Sequence, residues 1–157
     1  MKRNVPTYDD WRNFALAFDA EKSGMSPIGT NGIFGLVMDI GFPEGWATVV
    51  VFADGSASLY LSGGGGVIGG GGHESVKKTA IKMVEVADQN FHLTEATTST
   101  PLPTEGDVTF YLLTKKGIRK ANAKEQDLGE QRHALSSLFY AGQDAITQLR
   151  EISNNSK

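Results

Sequence analysis

Trp46-Ala47-Thr48-Val49-Val50-Val51-Phe52-Ala53-Asp54-Gly55-Ser56-Ala57-Ser58-Leu59-Tyr60-Leu61 is the stretch that decides the fold. Its first half is an uncharged, β-branched run, the composition of a strand buried on both faces. After Asp54-Gly55, the residues Ala57, Leu59 and Leu61 alternate with Ser58 and Tyr60, the period of a strand with one face in a core. Asp-Gly between two such runs marks a hairpin with a type I′ turn, which needs positive φ at both central residues. Residues 46–53 and 56–61 are therefore expected to pair antiparallel.

Working outward, residues 33–40 read as a further strand, turned by Gly41-Phe42-Pro43-Glu44-Gly45. Ahead of it, residues 7–21 read as a helix. Thr7 suits the N-cap, Asp9 and Asp10 suit the positive end of the dipole, and Trp11, Phe14, Ala15 and Phe18 share an apolar face. Residues 73–91 read as an amphipathic helix whose stripe is Val76, Ala80, Met83, Val84, Ala87 and Phe91. Residues 94–107, rich in threonine and holding Pro101 and Pro103, read as a loop. Residues 108–114 alternate as a half-buried strand, and residues 118–123 as a weaker one at a sheet edge. Residues 127–133 look irregular. Ser136 is the expected cap of a last helix reaching Ile152, with Leu138, Phe139, Ala145, Ile146 and Leu149 as its core stripe, and residues 153–157 are expected to fray. The order α-β-β-β-α-β-β-α predicts one α+β domain over residues 1–157. Its sheet would be an antiparallel five-stranded meander, within a range of four to six strands, covered by three helices.

Composition narrows the function. The formal net charge of -3 denies the chain the broad positive field that non-specific nucleic-acid binding needs. Lys115, Lys116, Arg119, Lys120 and Lys124 cluster along one segment and read as a solvated face. The absence of cysteine removes disulfides, thiolate metal sites and thiol nucleophiles. The longest apolar stretch, residues 47–53, has the length of a strand, far below the ~18 residues of a membrane span. Cytoplasmic location without a membrane or nucleic-acid partner is the resulting expectation.

Eight of the 19 glycines fall between Gly63 and Gly72, so the enrichment is a local feature. Gly64, Gly66 and Gly69 satisfy G-x-G-x-x-G, but so dense a run matches almost unavoidably, and a dinucleotide site also needs a parallel βαβ unit. A P-loop needs Lys and then Ser or Thr after its last glycine, where this chain has His73 and Glu74. Three readings stay open. The segment is a structural device for close backbone approach, with Val67-Ile68 as an apolar clip. Alternatively Gly69, Gly70, Gly71, Gly72, His73 and Glu74 hold an anionic ligand at a helix start, or the loop docks a partner.

His73-Glu74-Ser75-Val76-Lys77 begins like a zinc-protease motif and lacks the second histidine. His92 and His133 stand far away in sequence, so no metal site and no cofactor are expected. Ser136 and Ser137 beside His133 read as helix-start residues. Asp9-Asp10 and Glu125 with Asp127 are the carboxylate pairs, one at a helix start and one in a loop. No catalytic residue set is complete.

The run from Ala53 to Ser62, the glycine segment through Glu74, and Asp127-Leu128-Gly129-Glu130 with His133, Leu135 and Ser136 carry a resemblance. On these residues the chain resembles a small uncharacterised bacterial protein family marked by a Gly-rich GGGGVIGGGGHE segment, which implies no activity. Its element order is also loosely similar to profilin and roadblock-like domains, which implies protein binding. The expectation is a non-enzymatic protein-interaction or regulatory module. It would pair with an unidentified protein, or as a homodimer through a sheet edge or helix face. The alternative is a small-molecule or anion binder, or an enzyme, working at the glycine loop and His73.

Overall fold

The computed structural model of the chain describes residues 5–69 and 72–155. Its helices are α1 (Tyr8–Leu16), α2 (Ala20–Ser23), α3 (Glu74–Gln89), α4 (Glu125–Gly129) and α5 (Ser136–Asn155). Its strands are β1 (Ile33–Phe42), β2 (Gly45–Phe52), β3 (Ala57–Leu61), β4 (Gly66–Val67), β5 (Glu95–Thr97), β6 (Asp107–Thr114) and β7 (Gly117–Lys124). They form one sheet in the order β4-β3-β2-β1-β6-β7-β5, antiparallel throughout.

The class is α+β, but the expected five strands and three helices are corrected to seven strands and five helices among the described residues. The additions are β4, β5, α2 and α4, each five residues or shorter, too short to show a period. Nor is the sheet a single meander. The chain leaves β4 through α3, lands on the far edge as β5, and enters the centre as β6 beside β1. β7, expected at the edge, is therefore covered by β5.

β2 and β3 pair as expected, from Ala47 opposite Leu61 to Val51 opposite Ala57. Their turn is not type I′. Gly55 N–H donates to Phe52 O, Phe52 N–H donates to Ser56 O, and only Gly55 has positive φ, at 91°. That is a three-residue loop, a turn followed by a left-handed residue. Asp54 Oδ1 accepts from the Ser56 backbone and hydroxyl, which closes it.

Residues 7–21 are not one helix. Thr7 forms a capping box with Asp10, but α1 ends at Leu16, and Asp19 then caps α2 through Glu21 and Lys22 N–H. The break frees Phe18 to pack against Phe52 and Phe34 at ring distances of 4.7 and 6.1 Å. Phe14, expected in the core, is 69% exposed, and Arg12 is buried in its stead. Ser136 opens α5 with its hydroxyl buried and unpartnered among the described residues, so it is not the expected side-chain cap. The expected fray over 153–157 is helical as far as Asn155; residues 156–157 lie outside the described residues.

Alternation along β1, β2 and β6 feeds two cores. Leu36, Met38, Val49, Val51, Phe110 and Leu112 meet α3 and α5 on one face. Val37, Val50, Tyr111 and Leu113 meet the α1–α2 region on the other. The result is three layers, with the central strands buried on both sides. Among the described residues no helix is long and apolar enough to cross a membrane.

Gly55→Ala forces a left-handed backbone on a residue with a Cβ, which would also meet the Lys77 side chain at 2.4 Å. The expected loss is about 1–2 kcal/mol in urea unfolding, with the slope unchanged.

Candidate functional site

The central strand β1 carries a carboxylate, Asp39, with no exposure. It lies opposite Thr48 on β2 and Thr109 on β6, so a polar row crosses the sheet beneath α1. Arg12 reaches down from α1 and grips Asp39 with Nε at 3.1 Å and a terminal nitrogen at 2.7 Å. The same nitrogen donates to Thr100 O at 2.7 Å. Thr48 Oγ1 lies 2.6 Å from Asp39 and 2.5 Å from the Tyr8 hydroxyl. A carboxylate only accepts, so the Thr48 proton goes to Asp39 and Tyr8 donates to Thr48. Burial, reinforced by the Asp39 charge, pushes the Tyr8 phenol up to about 12 and keeps it a neutral donor.

Three donors fix the segment after β5, part of the expected loop of residues 94–107. Arg12 holds Thr100 O, Tyr111 Oη holds Pro101 O at 2.6 Å, and Trp46 Nε1 holds Pro103 O at 2.7 Å.

The first half of the glycine segment stays in the sheet. Gly64 N–H donates to Leu61 O, Leu61 N–H donates to Gly65 O, and Gly66-Val67 returns along β3. Only glycine fits at 66, where a Cβ would stand 2.1 Å from Leu59 O. Of the expected apolar clip, Val67 packs against the core while Ile68 is 58% exposed.

Between this return, β3 and the start of α1 lies a cleft of about 350 Å³. Tyr8, Trp11, Tyr60, Ile68 and the backbone of Gly64, Gly65 and Gly66 wall it, and no charged side chain does. Trp11 and Tyr60 stack inside it, 6.0 Å apart and 21° from parallel. Burial also raises the Tyr60 pKa. The cleft thus offers ring faces, hydroxyls and peptide groups.

The expected ligand residues lie next to the cleft in sequence. Gly69 N–H donates to Ser58 Oγ at 3.1 Å, His73 is the N-cap of α3 without a side-chain cap bond, and Glu74 opens its first turn. A Cβ at Gly72 would meet open space. Gly70 and Gly71 lie outside the described residues. The walls come instead from Gly64 to Gly66, which sequence reading passed over for the half nearer the helix. The other candidates have structural partners. His133 Nδ1 accepts from Leu135 N–H at 3.0 Å, Asp10 belongs to the capping box, and Asp127 pairs with Arg132 at the surface. Among the described residues, no three His, Asp or Glu side chains stand close enough to hold a metal ion.

No protein-family model, curated protein or solved structure matches the chain, so its own geometry carries the functional reading.

Arg12→Met strands the Asp39 carboxylate in the interior and should cost about 3–5 kcal/mol, whereas adding Asp39→Asn should recover at least half. Urea unfolding of wild type, single and double variants measures both; simple additivity would show that the pair is uncoupled. The raised Tyr8 pKa has a defined sign. An unfolded chain loses this proton near 10 and the folded chain near 12, so the contribution is complete below pH 10 and disappears as pH climbs toward 12. Tyr8→Phe should flatten that alkaline decline in unfolding midpoints compared between pH 9 and 11.

Proposed function

We propose that the chain is a non-enzymatic protein-interaction module that grips an apolar side chain of an extended partner segment in the cleft beside Trp11 and Tyr60. The observation that supports this most is the uncharged, aromatic wall. Stacked rings offer large contact area with few torsions to freeze, the property that makes Trp and Tyr frequent anchors at interfaces. The rim adds to it. Ile68 stands exposed at the mouth, on a return that pairs with β3 at Leu59–Val67 and Tyr60–Gly66. It adds an apolar contact for the partner's side chain. The buried ionisable groups nearby, Arg12 and Asp39, bond to each other, to Thr48 and to Thr100, and neither lines the cleft.

Selection of displayed peptides of about ten residues on the immobilised protein tests this reading. Enriched peptides should carry aromatic or aliphatic residues and change Trp11 emission in a Trp46→Phe background. They should bind at least about tenfold more weakly to Ile68→Asp, a loss of roughly 1.4 kcal/mol. Peptides that ignore both Ile68→Asp and Trp11→Ala, or no enrichment at all, would sink it.

A further inference from the structure

Charge is unevenly placed on this acidic chain. At the opposite edge of the sheet from the glycine return, the β6–β7 turn meets residues 30–32, Phe91 and Ala96 around a hollow of about 500 Å³. Lys115, Lys116 and Arg119 line it, and no carboxylate does. None of the three forms an ion pair among the described residues, where the salt bridges belong to Arg12 and Arg132.

Arg119 is held as a receptor group would be. Its Nε donates to Thr94 Oγ1 at 2.8 Å, a terminal nitrogen donates to Thr94 O, and the guanidinium lies 4.4 Å over the Phe91 ring. These contacts fix the fork in place while leaving its charge uncompensated, so little further freedom is lost when an anion arrives. The neighbouring acid, Asp88, is bonded to two residues of the wall: its Oδ1 accepts from Asn31 N–H at 3.1 Å and Asn31 Nδ2 at 2.8 Å, and its Oδ2 from Thr30 N–H at 3.4 Å. Those bonds shape the wall. Lys115 also borders a second hollow that contains Asp19 and Glu21, so its charge is shared. Lys116 and Arg119 carry the argument.

We propose that this hollow binds a small organic phosphate. A fixed guanidinium beside the Lys116 ammonium suits a dianionic, multi-acceptor head better than a single carboxylate. The volume falls within the roughly 300–1,000 Å³ of small-molecule sites and exceeds what a bare phosphate fills. Phe91 and Ile118 supply apolar wall for the organic body. The site is separate from the aromatic cleft and does not depend on it.

Isothermal titration with phenyl phosphate, inorganic phosphate and phenol, at matched ionic strength, tests the assignment, with amide chemical shifts to locate binding. Phenyl phosphate should bind at least about tenfold more tightly than either of the others, and shifts should centre on Ala96 and residues 115–119. Lys116→Glu, at an exposed turn position, should weaken it at least tenfold with an unchanged melting temperature, and Arg119→Lys should weaken it further. Binding of no phosphate probe, or binding indifferent to Lys116→Glu, overturns the site. Equal affinity for inorganic phosphate overturns the organic body.

Discussion

A carboxylate at the centre of a sheet covered on both faces must be satisfied by something that comes to it, because water cannot. Asp39 is that group, and the α1 face is arranged around it. Arg12 answers the charge, Thr48 and Tyr8 complete the donor chain, and the guanidinium's remaining reach captures Thr100 O. Replacing such a pair by apolar residues is often neutral for stability. Here its geometry sets the register of α1 over Val37, Val50 and Tyr111, with Arg12 bonded through two nitrogens to Asp39.

From that register the cleft follows. Trp11 is the residue before Arg12 and Tyr8 lies one turn earlier, so anchoring the guanidinium sets Trp11 onto Tyr60 and Tyr8 onto Thr48. The segment after β5 is placed by the same face, through Arg12, Tyr111 and Trp46. A stretch whose prolines suggested a loose connection thus becomes a fixed part of the second layer. It has three of its carbonyls bonded to side chains from α1, β2 and β6.

Much of the architecture was legible where a period had room to repeat. The β2–β3 pairing, the α3 stripe from Val76 to Ala87 and the strands of residues 33–40 and 108–114 all extend over five or more residues and read correctly as elements. Residues 108–114, expected half-buried, are nonetheless buried on both faces, and Phe91 lies beyond α3 in a 3-10 turn. What escaped was short or non-local. Gly66-Val67 and Glu95-Ala96-Thr97 offer no alternation to detect. The break between α1 and α2 was masked because Phe14 and Phe18 keep helical spacing, although Asp19 is a visible N-cap. The ion pair joins residues 27 apart, yet each left a mark: Asp39 interrupts an apolar strand, and Arg12 shares a face with Tyr8 and Ala15. Two opposite lone charges on apolar faces were the readable signal. At the glycine run, the helix start was the expected site because helix termini bind anions. The chain's own use of glycine was instead at Leu59, where only a backbone without Cβ can lie.

Sheet edges explain where recognition features lie in this protein. An unfinished edge invites pairing with other chains, and very short edge strands are one defence. Here both outermost strands, β4 and β5, have two and three residues. Chain that short ends the ladder, and a hollow lies beside each edge, neutral and aromatic at β4, cationic at β5. The two hollows differ in chemistry because different elements finish them. At one edge a helix pinned by its ion pair brings rings. At the other, a tight hairpin brings Lys115 and Lys116, while Thr94 and Phe91 hold Arg119.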